Sequence, residues 1–349
     1  MKRLLVVGAV PDYKNNLQFG GATVLTKILL DYLSENQIKF YFAQTNKYSD
    51  LKSGKANVVR STIYFLWAFF SKLWKADIVM FNFSDHGVTT LFPTLSTLSR
   101  KIGRKIVLRK FGGSFDIYLQ KISIKKKKRT LQAIEKSDLI LFETKSGIAH
   151  LKSLIDVEQK IIWFPNVRKP SSFKHNPDTP TKKIVFMGHI CDEKGVGDVL
   201  KISKQLNAQF SFHLYGAIKE EKYQNFNWDK YGATYHGEIT SDEVPQILSE
   251  SLLLLLTSYR EGYPGILIEA LSVGLPVVTT NVGGIPEMIT DSIEGLIICP
   301  GDIDSACKKI LSLTQEEYAK MSFNAHQTYL EKFDADSVNQ RILQRILTL

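Results

Sequence analysis

Hydrophobic residues in this chain come in short unbroken blocks set between longer stretches of mixed polarity. Leu4 to Val10, Phe40 to Gln44, Asp77 to Phe83, Lys105 to Arg109 and Asp138 to Glu143 are each rich in β-branched or aromatic side chains. Blocks of that length read as strands buried on both faces. Between them lie helical stretches, such as the one that opens at Gly20-Gly21 and runs to about Ser34. Between Pro165 and Pro180 the texture changes to Pro165-Asn166-Val167, Pro170-Ser171-Ser172 and Asn176-Pro177-Asp178-Thr179-Pro180, which has no period and reads as a linker. The alternation then restarts. Strands are expected at Lys183 to Gly188, Gln209 to Gly216, Ala233 to His236, Leu252 to Thr257, Pro276 to Thr280 and Gly295 to Cys299, with helices over Pro264 to Val273 and Ile303 to Ser312. Ser337 to Leu349 reads as a short amphipathic helix.

Strand–helix alternation with continuous apolar strands predicts an α/β fold of two doubly wound domains facing each other across a cleft. The expected boundaries are 1–168, a linker over 169–180, and 181–334, with a helix over 335–349 packing back on the first domain. Ligands in such sheets bind at the carboxyl ends of the strands. A length of 349 residues fits two domains, and 44% hydrophobic with 23% charged residues excludes a disordered chain, a collagen-like repeat or a coiled coil. No apolar run reaches the ~20 residues of a membrane span. The opening Met1 to Gly8 meets Pro11 and Asp12 without a small-residue cleavage site, so it reads as a buried strand rather than a signal peptide. Cys191, Cys299 and Cys307 show neither CxxC spacing nor zinc spacing, which fits a reduced, cytoplasmic setting.

Charge changes the picture more than composition does. Residues 1–180 hold thirty Lys and Arg against thirteen Asp and Glu (+17), and residues 181–349 hold fifteen against twenty-two (−7). Halves of opposite sign suggest domains with different partners.

The densest chemistry lies in Ser258-Tyr259-Arg260-Glu261-Gly262-Tyr263-Pro264-Gly265-Ile266-Leu267-Ile268-Glu269-Ala270. One carboxylate follows a buried strand and the other lies eight positions on, inside the next helix. Free N–H groups at that helix start suit a phosphate, and Glu269 suits two vicinal hydroxyls. The plain alternative is an ordinary strand-loop-helix joint with a capping Glu. In Met187-Gly188-His189-Ile190-Cys191-Asp192-Glu193-Lys194-Gly195, a glycine lets backbone approach a phosphate and Lys194 can supply a point charge. An exposed loop without function is the alternative there. Gly20-Gly21-Ala22-Thr23 is a further anion site at a helix start, but it lacks the GxGxxG spacing of a nicotinamide site. Asn281-Val282-Gly283-Gly284-Ile285-Pro286-Glu287 is a tight turn that either touches a ligand or packs beneath the site.

In this order the four pieces resemble glycosyltransferase family four, the retaining, nucleotide-sugar-dependent enzymes of GT-B fold. Glu261 and Glu269 meet that family's Glu-x7-Glu pattern, and Gly188, Lys194 and Gly195 its Gly-Arg-x4-Lys-Gly pattern. Gly20 and Gly21 meet its Gly-Gly loop, and Gly283 to Glu287 its Gly-Gly-x-Pro-Glu turn. Pro165-Asn166-Val167 also resembles the family. The likeness is strong over 181–300 and thin over 1–165. It implies a GT-B fold in which Glu269 holds the donor ribose and Glu261 contacts the transferred sugar. The backbone of Gly262, Tyr263, Pro264, Gly265, Ile266 and Leu267 would donate to sugar and phosphates. Gly20, Gly21, Gly188 and His189 complete the implied donor site. Lys194 would neutralise the leaving diphosphate, so no metal or other cofactor is expected; a fixed cation and aligned N–H donors stabilise the charge that develops there.

Two departures stand out. His189 replaces the usual arginine, exchanging a permanent cation for a group mostly neutral at pH 7. The family's first-domain histidine is missing from Arg109-Lys110-Phe111-Gly112-Gly113-Ser114-Phe115-Asp116, leaving Asp116, Lys110 or the nearby His86 as candidates. The basic half also holds Tyr64, Phe65, Trp67, Phe69, Phe70 and Trp74 within Ser61 to Lys75, and a run from Lys125 to Arg129. Buried packing on the sheet is the favoured reading of the aromatic stretch, and a solvated loop or helix face is an alternative for the lysines. Together with +17, both features favour an anionic membrane surface, placing the protein at the inner face of the membrane. Nucleic acid is the weaker partner, because aromatics at stacking-motif spacing are absent from the basic cluster.

The function these features imply is transfer of a hexose-type sugar from a nucleotide-diphosphate sugar to a glycan or lipid-linked acceptor, in polysaccharide or glycoconjugate biosynthesis. A GT-B epimerase lacks this Glu-x7-Glu loop, and a phosphorylase needs a cofactor lysine with no clear motif here. A non-enzymatic basic membrane or nucleic-acid adaptor leaves the carboxylate-glycine loop unexplained.

Overall fold

Strands buried on both faces need helices on both sides, and that is how the chain folds. The computed structural model describes residues 2–11, 20–46, 55–113, 115–178 and 181–349. It divides into two compact units, Met1–Asn166 with Ala335–Leu349, and Val167–Asp334. Asp12, Ser114, Thr179 and Pro180 lie outside the described residues.

The first unit carries β1 (Leu4–Gly8), β2 (Phe40–Gln44), β3 (Ile78–Phe83), β4 (Lys105–Lys110), β5 (Leu139–Phe142) and β6 (Ile161–Trp163). They form one parallel sheet in the order β2-β1-β3-β4-β5-β6. Alternate strand residues (Leu5, Val7, Val79, Phe81, Ile106, Leu108, Ile140) join Phe65, Phe69 and Leu73 in one buried cluster. Burying each such side chain stabilises by roughly 1.5–3 kcal/mol. The helix Ala335–Leu347 packs on the helix Gly21–Glu35 of this unit.

The second unit carries β7 (Lys183–Met187), β8 (Ser211–Tyr215), β9 (Ala233–Tyr235), β10 (Leu253–Leu256), β11 (Val277–Thr280) and β12 (Gly295–Ile298). Their order is β12-β11-β10-β7-β8-β9, again all parallel. That is the dinucleotide-fold order, in which the winding reverses between the first and fourth strands, here β7 and β10. Two doubly wound α/β units are what the GT-B expectation requires.

Three expectations change. The three-residue β6 was not anticipated: Ile161-Ile162-Trp163 is too short a block to stand out two residues before Pro165. The linker stretch is built into the second unit. Arg168 N–H donates to Phe333 O (3.1 Å), His175 N–H to Val273 O (2.8 Å), and Gln315 Nε2 to Pro177 O (2.6 Å). The aromatic stretch is a helix, Lys55–Leu73, but only one face of it is buried. Phe65 and Phe69 enter the core, whereas Trp67, Phe70 and, just past the helix end, Trp74 are exposed.

Candidate active site

The reversal between β7 and β10 brings two loops out of neighbouring strand ends, residues 188–195 and 257–264. They are tied together. Thr257 Oγ1 donates to Gly195 O (2.8 Å), Tyr259 N–H to Glu193 O (2.9 Å), and Tyr259 OH to Asp198 Oδ2 (2.7 Å). Gly195 has φ +73°, and a Cβ there would collide with the Thr257 carbonyl, so no other residue fits this closure.

The closure fixes Lys194. Its Nζ donates to Glu261 Oε1 (2.7 Å), and Ser258 Oγ donates to the same oxygen (2.7 Å). Glu261 is almost wholly buried, Lys194 is partly open and Ser258 is fully buried. The two residues singled out as sugar contact and diphosphate cation are therefore partners, sixty-seven positions apart in sequence.

The Gly-Gly-Ile-Pro-Glu turn lies beneath. Gly284 N–H donates to Gly262 O (2.8 Å), Thr280 Oγ1 donates to Ser258 O (2.6 Å), and a Cβ on Gly283 (φ +57°) would collide with the Glu261 carbonyl. Of the two roles considered for this turn, the supporting one is what these contacts describe.

After Pro264 the helix Gly265–Val273 begins. The first N–H groups of any helix lack intrahelical partners, and here they belong to Gly265 and Ile266. Leu267 N–H turns back to Pro264 O (3.3 Å) and its side chain is in the core, so it contributes less than expected. The Tyr263 ring is buried near Phe333 (6.3 Å), which leaves backbone as its means of reaching a ligand.

Glu269 has a partner that sequence reasoning missed. Arg168 Nε donates to Glu269 Oε1 (2.6 Å) and its Nη1 to Val167 O (3.0 Å). The guanidinium fills the space that a Cβ on Gly265 would take. Arg168 thus lies along the first turn of the helix, between its start and the carboxylate. The only signal was an arginine directly after Pro165-Asn166-Val167.

His189 lies at the surface, and partial loss of solvent around its ring, with Lys219 and Lys194 nearby, pulls its pKa below the usual histidine value. That shift favours the neutral ring at pH 7. Gly20 and Gly21 sit in the first unit, at the start of the helix Gly21–Glu35, where a Cβ on either would meet nothing within 4 Å. Two Asp-x-Asp triplets occur, Asp302-Ile303-Asp304 and Asp334-Ala335-Asp336. Both stand at helix starts, and Asp302 caps its helix by accepting from Ser305 N–H (3.0 Å).

In the first unit the stretch without its histidine holds a buried ionic cluster at the strand ends. Lys110 Nζ lies 2.8 Å from Asp85 Oδ1 and also donates to Gly112 O, and Gly112 N–H donates to Glu143 Oε1 (2.8 Å). Burial pushes Glu143 up to about 7 and Lys110 down. Arg109, beside them, is wholly buried over the Phe164 ring (3.6 Å) and is pushed down to about 9. Lys110 is thus enclosed, His86 is exposed, and Asp116 is half-buried on the helix Phe115–Lys121. Glu143 was legible only as the charge ending a buried strand.

Residues 167–328 match the family model described as glycosyl transferases group 1. Among curated relatives, the sulfoquinovosyl transferase SQD2 of Arabidopsis thaliana is 28% identical over 172 residues, 48% of this chain and 33% of that protein. The putative colanic acid biosynthesis glycosyltransferase WcaL of Salmonella typhimurium is 23% identical over 300 residues, 80% of this chain and 72% of that protein. The chain spans between about a quarter and a third of the length of several of the curated relatives it matches. Among solved structures, Anabaena Alr3699/HepE in complex with UDP superposes with a TM-score of 0.75 at 15% identity, covering 100% of both chains. Over residues 167–328, a little under half of its length, the chain is thus similar to the group 1 glycosyl transferases.

Proposed function

We propose that the protein is a retaining glycosyltransferase that moves a hexose-type sugar from a nucleotide-diphosphate sugar to a glycan or lipid-linked acceptor in polysaccharide or glycoconjugate biosynthesis. One observation carries the proposal: Lys194 and Glu261 meet at 2.7 Å where the second sheet reverses, beside the start of the helix Gly265–Val273. That arrangement sets a cation, unspent N–H groups and a carboxylate around one strand end. The Anabaena protein's structures hold UDP and UDP-glucose, which supports a donor of this class.

In this reading the donor diphosphate accepts from Lys194 and from the Gly265 and Ile266 N–H groups. Negative charge grows on the diphosphate as its bond to the sugar lengthens, and a fixed cation and dipoles favour that state over the ground state. Lys194 offers three N–H bonds, of which one goes to Glu261. Glu261, held by Ser258 and Lys194, accepts from a hydroxyl of the transferred sugar and steadies the positive character of its ring. Glu269 accepts from the ribose. The three free thiols, Cys191, Cys299 and Cys307, support placing the reaction in the cytoplasm.

Incubation with a panel of nucleotide sugars, read as slow donor hydrolysis, tests this. Release of one nucleoside diphosphate above the others, lost in Lys194→Ala, is expected. Absence of release and of binding for the whole panel refutes it.

A further inference from the structure

Helix Lys55–Leu73 turns two faces in two directions. Its inner face (Phe65, Phe69, Leu73) belongs to the core of the first unit. Its outer face carries Val59, Ile63 (63% exposed), Trp67 (64%) and Phe70, with Trp74 (65%) continuing the line just past the helix end. The spacings are four, four, three and four, so these side chains form one stripe. Scattered apolar residues on a surface are normal; a continuous aromatic ridge marks a surface that meets something.

What it meets is indicated by the charge around it. The helices Phe92–Lys101 and Ile124–Glu135 cover the same buried cluster as Lys55–Leu73, through Leu95 and Ile134, and so lie in the same outer layer. Arg129 Nη2 donates to Thr94 Oγ1 (2.7 Å) between the last two, and Arg104 Nη2 to Trp74 O (3.0 Å) beside the ridge. From Lys55 to Lys136 there are seventeen Lys and Arg against four Asp and Glu, and none of the acids falls in 55–76 or 86–115. An open groove of about 360 Å³ beside Ile124 is lined by Leu131, Ile155, Lys127, Lys128, Gln132 and Glu135. Ile124 itself is exposed.

We propose that this layer of the first unit is a docking face for an anionic lipid bilayer, with Ile63, Trp67, Phe70 and Trp74 entering the headgroup boundary and Lys125, Lys128 and Arg129 pairing with lipid phosphates. Tryptophan's amphipathic ring suits that boundary, and basic residues near it gain from the negative surface potential. A second copy of the chain is disfavoured as occupant, because face-to-face pairing would set two strongly cationic layers against each other. Nothing in this argument uses the donor site, so the glycosyl-transfer reading and this one stand or fall separately.

The full chain is sedimented with vesicles of phosphatidylcholine alone or mixed with phosphatidylglycerol, at low and high salt. Binding to the anionic vesicles, weaker at high salt, is expected. Trp67→Ser with Trp74→Ser, and separately Lys125→Glu with Lys128→Glu, should each lower that partitioning by about ten-fold or more. Melting curves should stay unchanged, since all four side chains are solvent-facing or half-buried. As a measurement without substitutions, tryptophan fluorescence should be quenched by brominated lipid in anionic vesicles. Equal binding to neutral and anionic vesicles, unchanged partitioning in the tryptophan pair, or a dimer that the tryptophan pair dissolves while vesicles are ignored, each overturns the proposal.

Discussion

Arg168 offers a test of the donor site that leaves every proposed donor contact in place. Its Nε reaches Glu269 Oε1 at 2.6 Å, and both side chains are three-quarters or more buried. If Glu269 receives the ribose, Arg168 acts through it, holding the carboxylate in one orientation. Arg168→Gln removes the charge and loosens that orientation. Fixing one rotamer-rich side chain on binding costs about 0.5–1.5 kcal/mol, so donor KM should rise about two- to twelve-fold with kcat nearly unchanged. Glu269→Ala removes the charged hydrogen bonds themselves, worth about 1.5–3 kcal/mol, and should raise KM about ten- to hundred-fold. The double variant should match Glu269→Ala alone, because Arg168 has no effect without its carboxylate. UDP titration calorimetry on the four proteins gives the same cycle in affinity, and a melting curve for each separates folding from binding. Additive losses would show Arg168 acting elsewhere. Tighter binding by Arg168→Gln would show that the ion pair competes with the ribose, and either result refutes the argument.

Glu261→Ala should lower kcat by about one to two decades and also lower Tm, since Lys194 and the buried Ser258 lose their shared acceptor; Glu261→Gln should recover the Tm but not the rate. Transfer should persist in excess chelator, with Lys194 as the diphosphate cation, and full loss restored by manganese would contradict that role. His189 titrates below the usual histidine value, so UDP affinity should rise as pH falls beneath about 6.5, and His189→Gln should flatten that rise when binding is measured across pH. Glu143 is raised to about 7, so between its unfolded value near 4.5 and pH 7 the native state keeps a proton that the unfolded state has lost; stability should fall across this window by at most about 3.5 kcal/mol, and Glu143→Gln should remove the slope in urea titrations.

Most strands were legible because each is a buried apolar block bounded by turn residues. Phe40–Gln44 and the helix Ile303–Ser312 fall where the pattern sets them, and the other anticipated strands shift at their ends by one or two residues. The exception, Ile161–Trp163, holds its place by pairing with β5, and pairing with a distant strand leaves no mark in three residues. The aromatic helix shows a related limit. Sequence gives six aromatic residues in one helical stretch, but a helix that packs on a sheet on one side has another side to fill. Spacing alone does not say which aromatics go inward; the position of Phe81 against Phe69, with Phe92 packed on Phe81, does.

The candidate site was legible in parts and not in its wiring. Lys194 and Glu261 were each read from their own loops, and their contact depends on β7 and β10 being neighbours, a fact of topology. Arg168 illustrates the converse. It lies in a stretch that reads as linker because Pro and Ser break its period, yet its backbone is fixed by Phe333 and its side chain by Glu269. A glycine gives the matching clue from the other side. Gly265 opens the helix where a side chain would be tolerated on conformational grounds, and the reason for its absence is the guanidinium packed on it. A missing side chain at a helix start can therefore mark the place that a distant cation needs, and at this site it places a permanent positive charge within one helical turn of Glu269, on a loop set where position 189 no longer supplies one.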